Sequence, residues 1–390
     1  MKNYKALLFI FLFAVSQPIS FACSMYKITR DGKTIVGNNE DWLSPNSKFW
    51  YEKSNADSYG VLYMGQLNNF AQGAINEAGL VFDGFANPEL PVLNTEGKTE
   101  IYIGEAIKNV MQSMDTVEKV KNYLETINLS SLTSSQLVFV DVSGTYLIVE
   151  GDELIIGEAS EKAFSNFYYS QIESEEEVQL ETFKNGWAFM NATQGDATLN
   201  YCGDVMRNLS SKGVFGTQYS TVYDLETLTI RVYLFQDFTD FVEIDLKKEL
   251  KKANHEVMIA DLFSNESMGK QHYSKYNDLE NPESIIKNLV EKENVSEKEL
   301  QEMGFNSIVN IIGYEWLNDK HNANGAIKIF KYGVLLMPND ADLYDSLGEA
   351  YMKKEDYENS TLSYKKSLVL DPSNKNASNM LVKIEAVQKD

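Results

Sequence analysis

Apolar and polar residues alternate in short runs over positions 24–84, which predicts a series of half-buried strands. The first run covers 24–30, Asp31-Gly32 interrupts it, and 33–38 forms the second. A two-residue Asp-Gly between extended runs predicts a tight hairpin. Further strands are predicted at 59–64, 71–76 and 80–84, with Asn76-Glu77-Ala78-Gly79 as the turn between the last two. The period then changes. Ile103, Ala106, Ile107, Val110 and Met111 fall on one helical face, and Val117, Val120, Leu124 and Ile127 continue it. Asp115 stands where it would cap the second of two helical segments. Strands return at 136–142 and 146–150, and a short aromatic stretch covers 163–167. Helices are predicted near 178–190 and 201–209, and strands close the region at 218–224, 229–235 and 241–244. Blocks of strands and helices in this order predict layered α+β packing rather than a βαβ repeat.

Beyond about 247 the strand signal ends, so residues 23–247 read as one domain and 248–302 as a helical connector. An internal repeat occupies 303–390. Pro338 and Pro372 share a 34-residue offset with the pairs Ala326 and Ser360, and Phe330 and Tyr364, which is the period of the tetratricopeptide unit. The second unit carries Tyr344, Leu347, Gly348, Tyr351, Tyr364 and Pro372. At the strict offset Tyr314 and Leu317 stand where Gly348 and Tyr351 do. One extra residue in the inter-helix turn instead aligns Gly313 with Gly348 and Trp316 with Tyr351. A last helix at 376–387 would cap the stack, and so short an array is expected to lean on the preceding domain. Stacked helical pairs leave a concave groove, so the region is a candidate surface for a protein partner; the alternative is a stabilising appendage.

Composition narrows the function. The chain has 390 residues, 43% of them hydrophobic, enough for two domains with a sizeable core. A net charge of −22 argues against a nucleic-acid partner, because phosphate-backbone binding needs clustered Lys and Arg. Residues 1–22 have the layout of a signal peptide. Lys2 and Lys5 precede an apolar run at 6–15 too short to span a bilayer, and the small residues Ser20 and Ala22 stand at −3 and −1 before Cys23. The mature chain is therefore expected to begin at Cys23, to be exported (periplasmic or secreted), and to have no transmembrane segment. The rival fate is lipid modification of Cys23, which Ser20 and Phe21 suit poorly.

All three histidines (His255, His272 and His321) lie beyond 247. This disfavours a Ser-His-Asp or Cys-His engine in the main domain, and a histidine-bound zinc as well. No metal and no cofactor are expected. Of the two cysteines, Cys202 is expected to be a buried free thiol. A cysteine at a new N-terminus carries a thiol nucleophile and an α-amine base on one residue. The amine has a pKa of about 7.7–8.0 against about 8.5 for the thiol, so its uncharged fraction can take the thiol proton. The predicted hairpin returns Asn38, Asn39 and Asp41 to the side of Cys23, with Asp41 placed to hold the amine or orient the thiol. Asn166 and Asn87 are candidate neutral donors to a developing oxyanion. Phe49, Trp50, Phe82, Phe85 and Trp187 are candidates to line an apolar pocket, with core packing as their default role.

A resemblance follows from these pieces. Cys23 behind a cut site, Gly37-Asn38-Asn39-Glu40-Asp41-Trp42, Ile75-Asn76-Glu77-Ala78-Gly79-Leu80, Phe164-Ser165-Asn166-Phe167 and Gln218-Tyr219-Ser220-Thr221-Val222-Tyr223-Asp224 together resemble the N-terminal nucleophile (Ntn) hydrolases. Within these the chain resembles the choloylglycine hydrolase, penicillin V acylase and acid amidase group, over about 23–246. The resemblance implies an αββα four-layer sandwich and cleavage of a linear, non-peptide carbon–nitrogen amide through a thioester. It implies Cys23 as nucleophile and base, Asp41 as the partner of the terminal amine, and Asn166 as an oxyanion donor. The family usually carries Arg where this chain has Asn38, and in relatives that Arg helps fix nucleophile and substrate. Arg207 is the candidate for the family's other active-site Arg. The expected function is an exported cysteine amidase for a small-molecule amide, with a tetratricopeptide-like tail. The alternative is a catalytically degenerate binding protein on the same fold, lipid-anchored through Cys23.

Overall fold

The computed structural model describes residues 23–213, 215–291, 296–302 and 304–388. The signal peptide expected at 1–22 lies outside the described residues. Strands β1 (Ser24–Arg30) and β2 (Lys33–Asp41) form the hairpin that Asp31-Gly32 predicts. Asp31 has φ +53° and Gly32 φ +77°, the two left-handed residues of the turn that matches natural strand twist. The chain continues through β3 (Ser47–Glu52), β4 (Val61–Gln66), β5 (Ala71–Asn76) and β6 (Val81–Ala86). After two helices come β7 (Ser135–Val140), β8 (Tyr146–Glu150), β9 (Glu153–Gly157) and β10 (Glu161–Ser165). Two more helices precede β11 (Thr217–Asp224), β12 (Thr229–Leu234) and β13 (Asp237–Asp245), and β14 (His255–Met258) is the last strand. Among the described residues these strands make two antiparallel sheets. One runs β10-β1-β2-β11-β12-β13, the other β14-β3-β4-β5-β6-β7-β8-β9.

The strands bury different residues on their two faces, as a period of two requires. On β1, Met25 points between the sheets, while Tyr26 and Ile28 point outward to a helical layer. The inner faces share one core that includes Met25, Val36, Phe49, Met64, Phe85 and Tyr219. Helices α1 (Ile103–Ser113) and α2 (Val117–Leu124) cover the outer face of the eight-stranded sheet through Ala106, Val110, Val120 and Leu124. Helices α3 (Glu181–Ala192) and α4 (Leu199–Leu209) cover the six-stranded sheet through Phe183, Cys202 and Met206. The layer order is therefore αββα. Thr116, not the expected Asp115, caps α2: its side chain accepts from the Lys119 amide, while Asp115 pairs with the Lys119 ammonium at 2.7 Å. A cap must stand immediately before the first turn, and Asp115 is one residue too early.

Beyond Asp245 the structure departs from expectation. Short α5 (Leu246–Glu249) leads into β14, which pairs with β3 along the edge of the larger sheet. The sandwich thus extends past 247, into the segment read as a purely helical connector. Four edge residues carry too little periodicity to announce a strand. The chain then turns helical: α6 (Met268–Tyr276), α7 (Ser284–Glu291), α8 (Glu297–Glu302), α9 (Phe305–Tyr314) and α10 (Ala323–Leu336), followed by α11 (Ala341–Lys353), α12 (Tyr357–Leu370) and α13 (Lys375–Val387).

A contact recurs in this region. A Cβ on Gly313 would meet the Phe330 ring at 2.3 Å, and one on Gly348 would meet the Tyr364 ring at 2.9 Å. One more residue separates the first pair than the second, and a π-helical turn at Glu315–Asp319 lies in between to take it up. Leu43, two residues past β2, is buried in the helical core with Ile308, Trp316 and Phe330. No helix among the described residues is long and apolar enough to cross a membrane.

Candidate active site

Cys23 precedes β1 and lies between the two sheets, 7% exposed. Strands on both sides hold its backbone. On β10 the Ser165 hydroxyl donates to the Cys23 carbonyl at 2.8 Å. The register pairs Ser24 with Ser165, so Asn166 stands opposite Cys23 one step further on. On β2 the partner of Ser24 is Asn39. The Asn39 amide donates to Ser24 Oγ at 3.0 Å and to the Met206 carbonyl at 2.9 Å, and its own carbonyl accepts from the Ser220 hydroxyl at 2.6 Å. One buried, satisfied side chain therefore fastens β1, β2, β11 and α4 together. Gly37 allows that helix to come close: a Cβ there would stand 2.6 Å from Met206 and 2.8 Å from the Cys202 sulfur.

Alternation on β2 turns Asn39 toward α4 and Glu40 toward Cys23. Cys23 Sγ is 3.9 Å from Glu40 Oε2 and 3.6 Å from the Asp41 carbonyl oxygen, and it accepts from the Asp41 amide at 3.4 Å. Asn38 Nδ2 donates to Glu40 Oε1 at 3.0 Å. The Asp41 carboxylate accepts from the Thr217 hydroxyl at 2.6 Å. Across the gap, on β6, Asp83 sits between the inward residues Val81 and Phe85. Its Oδ1 accepts from the Gly84 amide at 2.9 Å. Its Oδ2 makes no well-formed hydrogen bond, although the Glu40 carboxyl lies beside it. The buried Tyr219 hydroxyl also lacks a partner.

Burial sets the electrostatics. Burial first, then the charges of Glu40, Asp41 and Asp83, raise the Cys23 thiol well above its ordinary value. The resting sulfur is therefore a neutral thiol, and attack needs a proton acceptor within reach. Burial pushes Glu40 up to about 7, against hydrogen bonds from Asn38, Asp83 and Cys23 that pull it back. Burial and the neighbouring Glu40 charge hold Asp83 well above the usual carboxylate range. Burial also raises Asp41, against the Thr217 hydrogen bond.

Of the residues singled out in the sequence, Cys23, Asn38 and Asp41 come together here. Asn166, opposite Cys23, reaches the residue before Asn87. Asn166 Nδ2 donates to the Ala86 carbonyl at 2.6 Å, while Asn166 Oδ1 and both polar atoms of the Asn87 side chain are buried without partners. Arg207 is not brought to the site. It lies on α4, half-exposed, paired with Asp204 at 3.1 Å and over the Phe238 ring. Cys202 is a buried free thiol on the helical side of β2. Phe49 and Phe85 face the gap, whereas Phe82 and Trp50 pack toward α1 and α2, and Trp187 packs among the residues of α3 and α4. Glu40 and Asp83 escaped the sequence reading. Both carry a signal that finds them: an acid at an inward-facing position of a buried strand.

A cleft lies past the end of β2, where Trp42, Ser44, Asn46 and Gln66 face Ile311, Tyr314 and Glu315 of the helical region; Cys23, Glu40, Asp41 and Asp83 do not line it. Among the described residues no group of three or more His, Cys, Asp or Glu is arranged to hold a metal ion.

No protein-family model matches the chain, and no curated protein matches it. Solved structures do resemble it. Two variants of conjugated bile acid hydrolase from Clostridium perfringens align at 16% and 17% identity with TM-scores of 0.47 and 0.46, covering 60% and 61% of this chain and 96% of each of theirs. Penicillin V acylase from Agrobacterium tumefaciens aligns at 17% identity and TM-score 0.45, over 59% of this chain and 89% of its own.

Proposed function

We propose that the protein is an exported cysteine amidase of the N-terminal nucleophile type, which cleaves a linear, non-peptide carbon–nitrogen amide through a thioester on Cys23. The observation that carries this reading is the setting of the thiol. Its backbone is clamped by Ser165, its sulfur accepts from the Asp41 amide, and a carboxyl stands in contact with it. Such a cysteine is oriented and has a proton acceptor without any histidine.

In this reading the sulfur attacks the amide carbonyl, the amine departs, and water hydrolyses the thioester. Cutting after Ala22 frees the Cys23 α-amine as a proton acceptor, with Asp41 as its neighbour. Asn87, whose Nδ2 lacks a partner, and Asn166, whose Nδ2 would turn from the Ala86 carbonyl, supply neutral donors for the oxyanion. The substrate is a small-molecule amide. The helical region is tetratricopeptide-like and offers a surface to a protein partner; the recurring glycine-on-ring contact supports this.

The test is hydrolysis of a panel of N-acyl amides by the mature chain and by Cys23→Ala. The variant is expected to fall to the uncatalysed background while losing only about 1 kcal/mol of stability. Turnover retained in Cys23→Ala overturns the reading. The neutral Asn38 favours a second reading, a binding protein on the same fold with Cys23 blocked by lipid. An intact mass that begins at unmodified Cys23, and adduct formation there with a thiol-reactive amide mimic, would remove that alternative.

A further inference from the structure

We propose that Glu40 is a catalytic residue, the carboxylate that takes the Cys23 thiol proton, and that Asp83 and Asn38 position it. The proposal rests on reading Cys23 as the nucleophile, and it puts Glu40 in place of the terminal amine as the group that takes the thiol proton. Glu40 Oε2, at 3.9 Å, is the carboxylate oxygen in contact with the sulfur. Its other oxygen accepts from Asn38 Nδ2 at 3.0 Å, which fixes the rotation of the carboxyl group. A nucleophile touching a base that a third group orients is the general pattern of an activated nucleophile.

The groups facing Glu40 are Cys23 from just before β1, Asn38 and Asp41 from its own strand, Asp83 from β6, and Tyr219 and Tyr223 from β11. None of these side chains can carry a positive charge. Two buried carboxyls side by side cannot both ionise cheaply, so one proton stays with the Glu40–Asp83 pair. With that proton on Asp83, its unpartnered Oδ2 becomes a donor and Glu40 is left as the acceptor. Asn38 belongs to the same design. A guanidinium in its place would hold Glu40 ionised and make it a poor base, whereas a neutral amide orients the carboxyl and leaves its proton affinity high.

The step balances. As the sulfur attacks, the S–C bond forms, the S–H bond breaks, and the proton passes to Glu40 Oε2. When the tetrahedral adduct collapses, the C–N bond breaks and the departing nitrogen takes that proton. Amide and thiol give thioester and amine, with Glu40 again a carboxylate.

The experiment is acylation of Cys23 by p-nitrophenyl acetate in the mature full chain, followed by nitrophenolate release and intact mass from pH 5 to 9. Wild type is expected to show a rate that rises through an inflection near 7. In Glu40→Gln the inflection near 7 disappears, leaving only the rise that belongs to the amine at about 7.7–8.0, and the rate at pH 7 drops about 100-fold. Asp83→Asn moves the inflection while acylation persists. Removing a negative charge alone would let the thiol ionise more readily. Acylation of Glu40→Gln as fast as wild type or faster, with the inflection retained, therefore overturns the proposal. A wild-type profile with no inflection near 7 overturns it without recourse to any variant. Absence of wild-type acylation at Cys23 instead removes the nucleophile reading beneath it, so the two failures are distinct.

Discussion

Two buried glutamates invite comparison. Glu315, in the π-helical turn, faces the segment that follows β2. Its carboxylate stands 3.3 Å from the Lys320 ammonium and accepts from Asn46 Nδ2. Lys320 in turn donates to Asn277 Oδ1 at 2.6 Å. Burial pushes the Glu315 carboxyl up and the Lys320 ammonium down, and each partner draws the other back toward its charged form. Glu40, 1% exposed, has a neutral amide, a thiol and a second acid around it instead. The structural carboxyl, at the seam between sandwich and helices, is matched with a cation. The carboxyl beside Cys23 has no cationic side chain against it and keeps its affinity for a proton. An acid whose environment raises its proton affinity next to a nucleophile is suited to acid–base work, whereas a matched pair holds a seam together.

The sharpest way to break this comparison is Glu315→Ala. Removing one partner leaves the Lys320 charge, only 15% exposed, without its counterion, which is expected to cost about 3–5 kcal/mol. Urea denaturation of wild type and variant measures it, and a loss below about 1 kcal/mol would put Glu315 among ordinary surface carboxylates.

The next effect is a pH slope. Glu40 in the folded chain holds its proton up to about 7, against an ordinary value of 4.5, so between these limits the folded state binds more protons than the unfolded one. Its contribution is fully present below 4.5 and is lost as pH rises through 7. Asp83, also raised, acts in the same direction. Subtracting the stability of Glu40→Gln from that of wild type should give a difference that declines by on the order of 1–3 kcal/mol from pH 4.5 to pH 7.5. Urea titrations across that range would contradict the account if the difference were flat or rose.

The smallest effect belongs to Arg207→Ala. Arg207 is half-exposed on α4 and bound to Asp204, so the variant is expected to lie within about 0.5 kcal/mol of wild type. Its amide turnover should be unchanged. A large fall in kcat would mean that a cation does reach Cys23, and the contrast between the two glutamates would fail.

Much of this layout was legible from local chemistry. Asp31-Gly32 determines a hairpin wherever it occurs between extended runs, and the hairpin alone returns Asp41 to Cys23. The helical face that begins at Ile103 reads the same in the chain and in the fold. So does the extra residue of the first helix pair, which the displaced glycine already implied and the π-helical turn accommodates. Strand β14 was not legible, because four residues become a strand only when β3 offers its edge. The place of Arg207 was not legible, because a helix position does not reveal whether its face turns toward the gap between the sheets or away from it.

The sequence by itself determined most of the strands and helices and the layered α+β class, because these follow from periodicity and from turn chemistry within a few residues. It also contained the acids at 40 and 83, each at an inward strand position. That they meet is a property of the tertiary structure alone. Cys23 stands just before β1, Glu40 lies on β2 and Asp83 on β6 of the other sheet, and only the stacking of those sheets brings a thiol and two carboxyls into one desolvated space. Proton affinity there depends on burial and on neighbours remote along the chain, and neither quantity exists before the sheets close on each other.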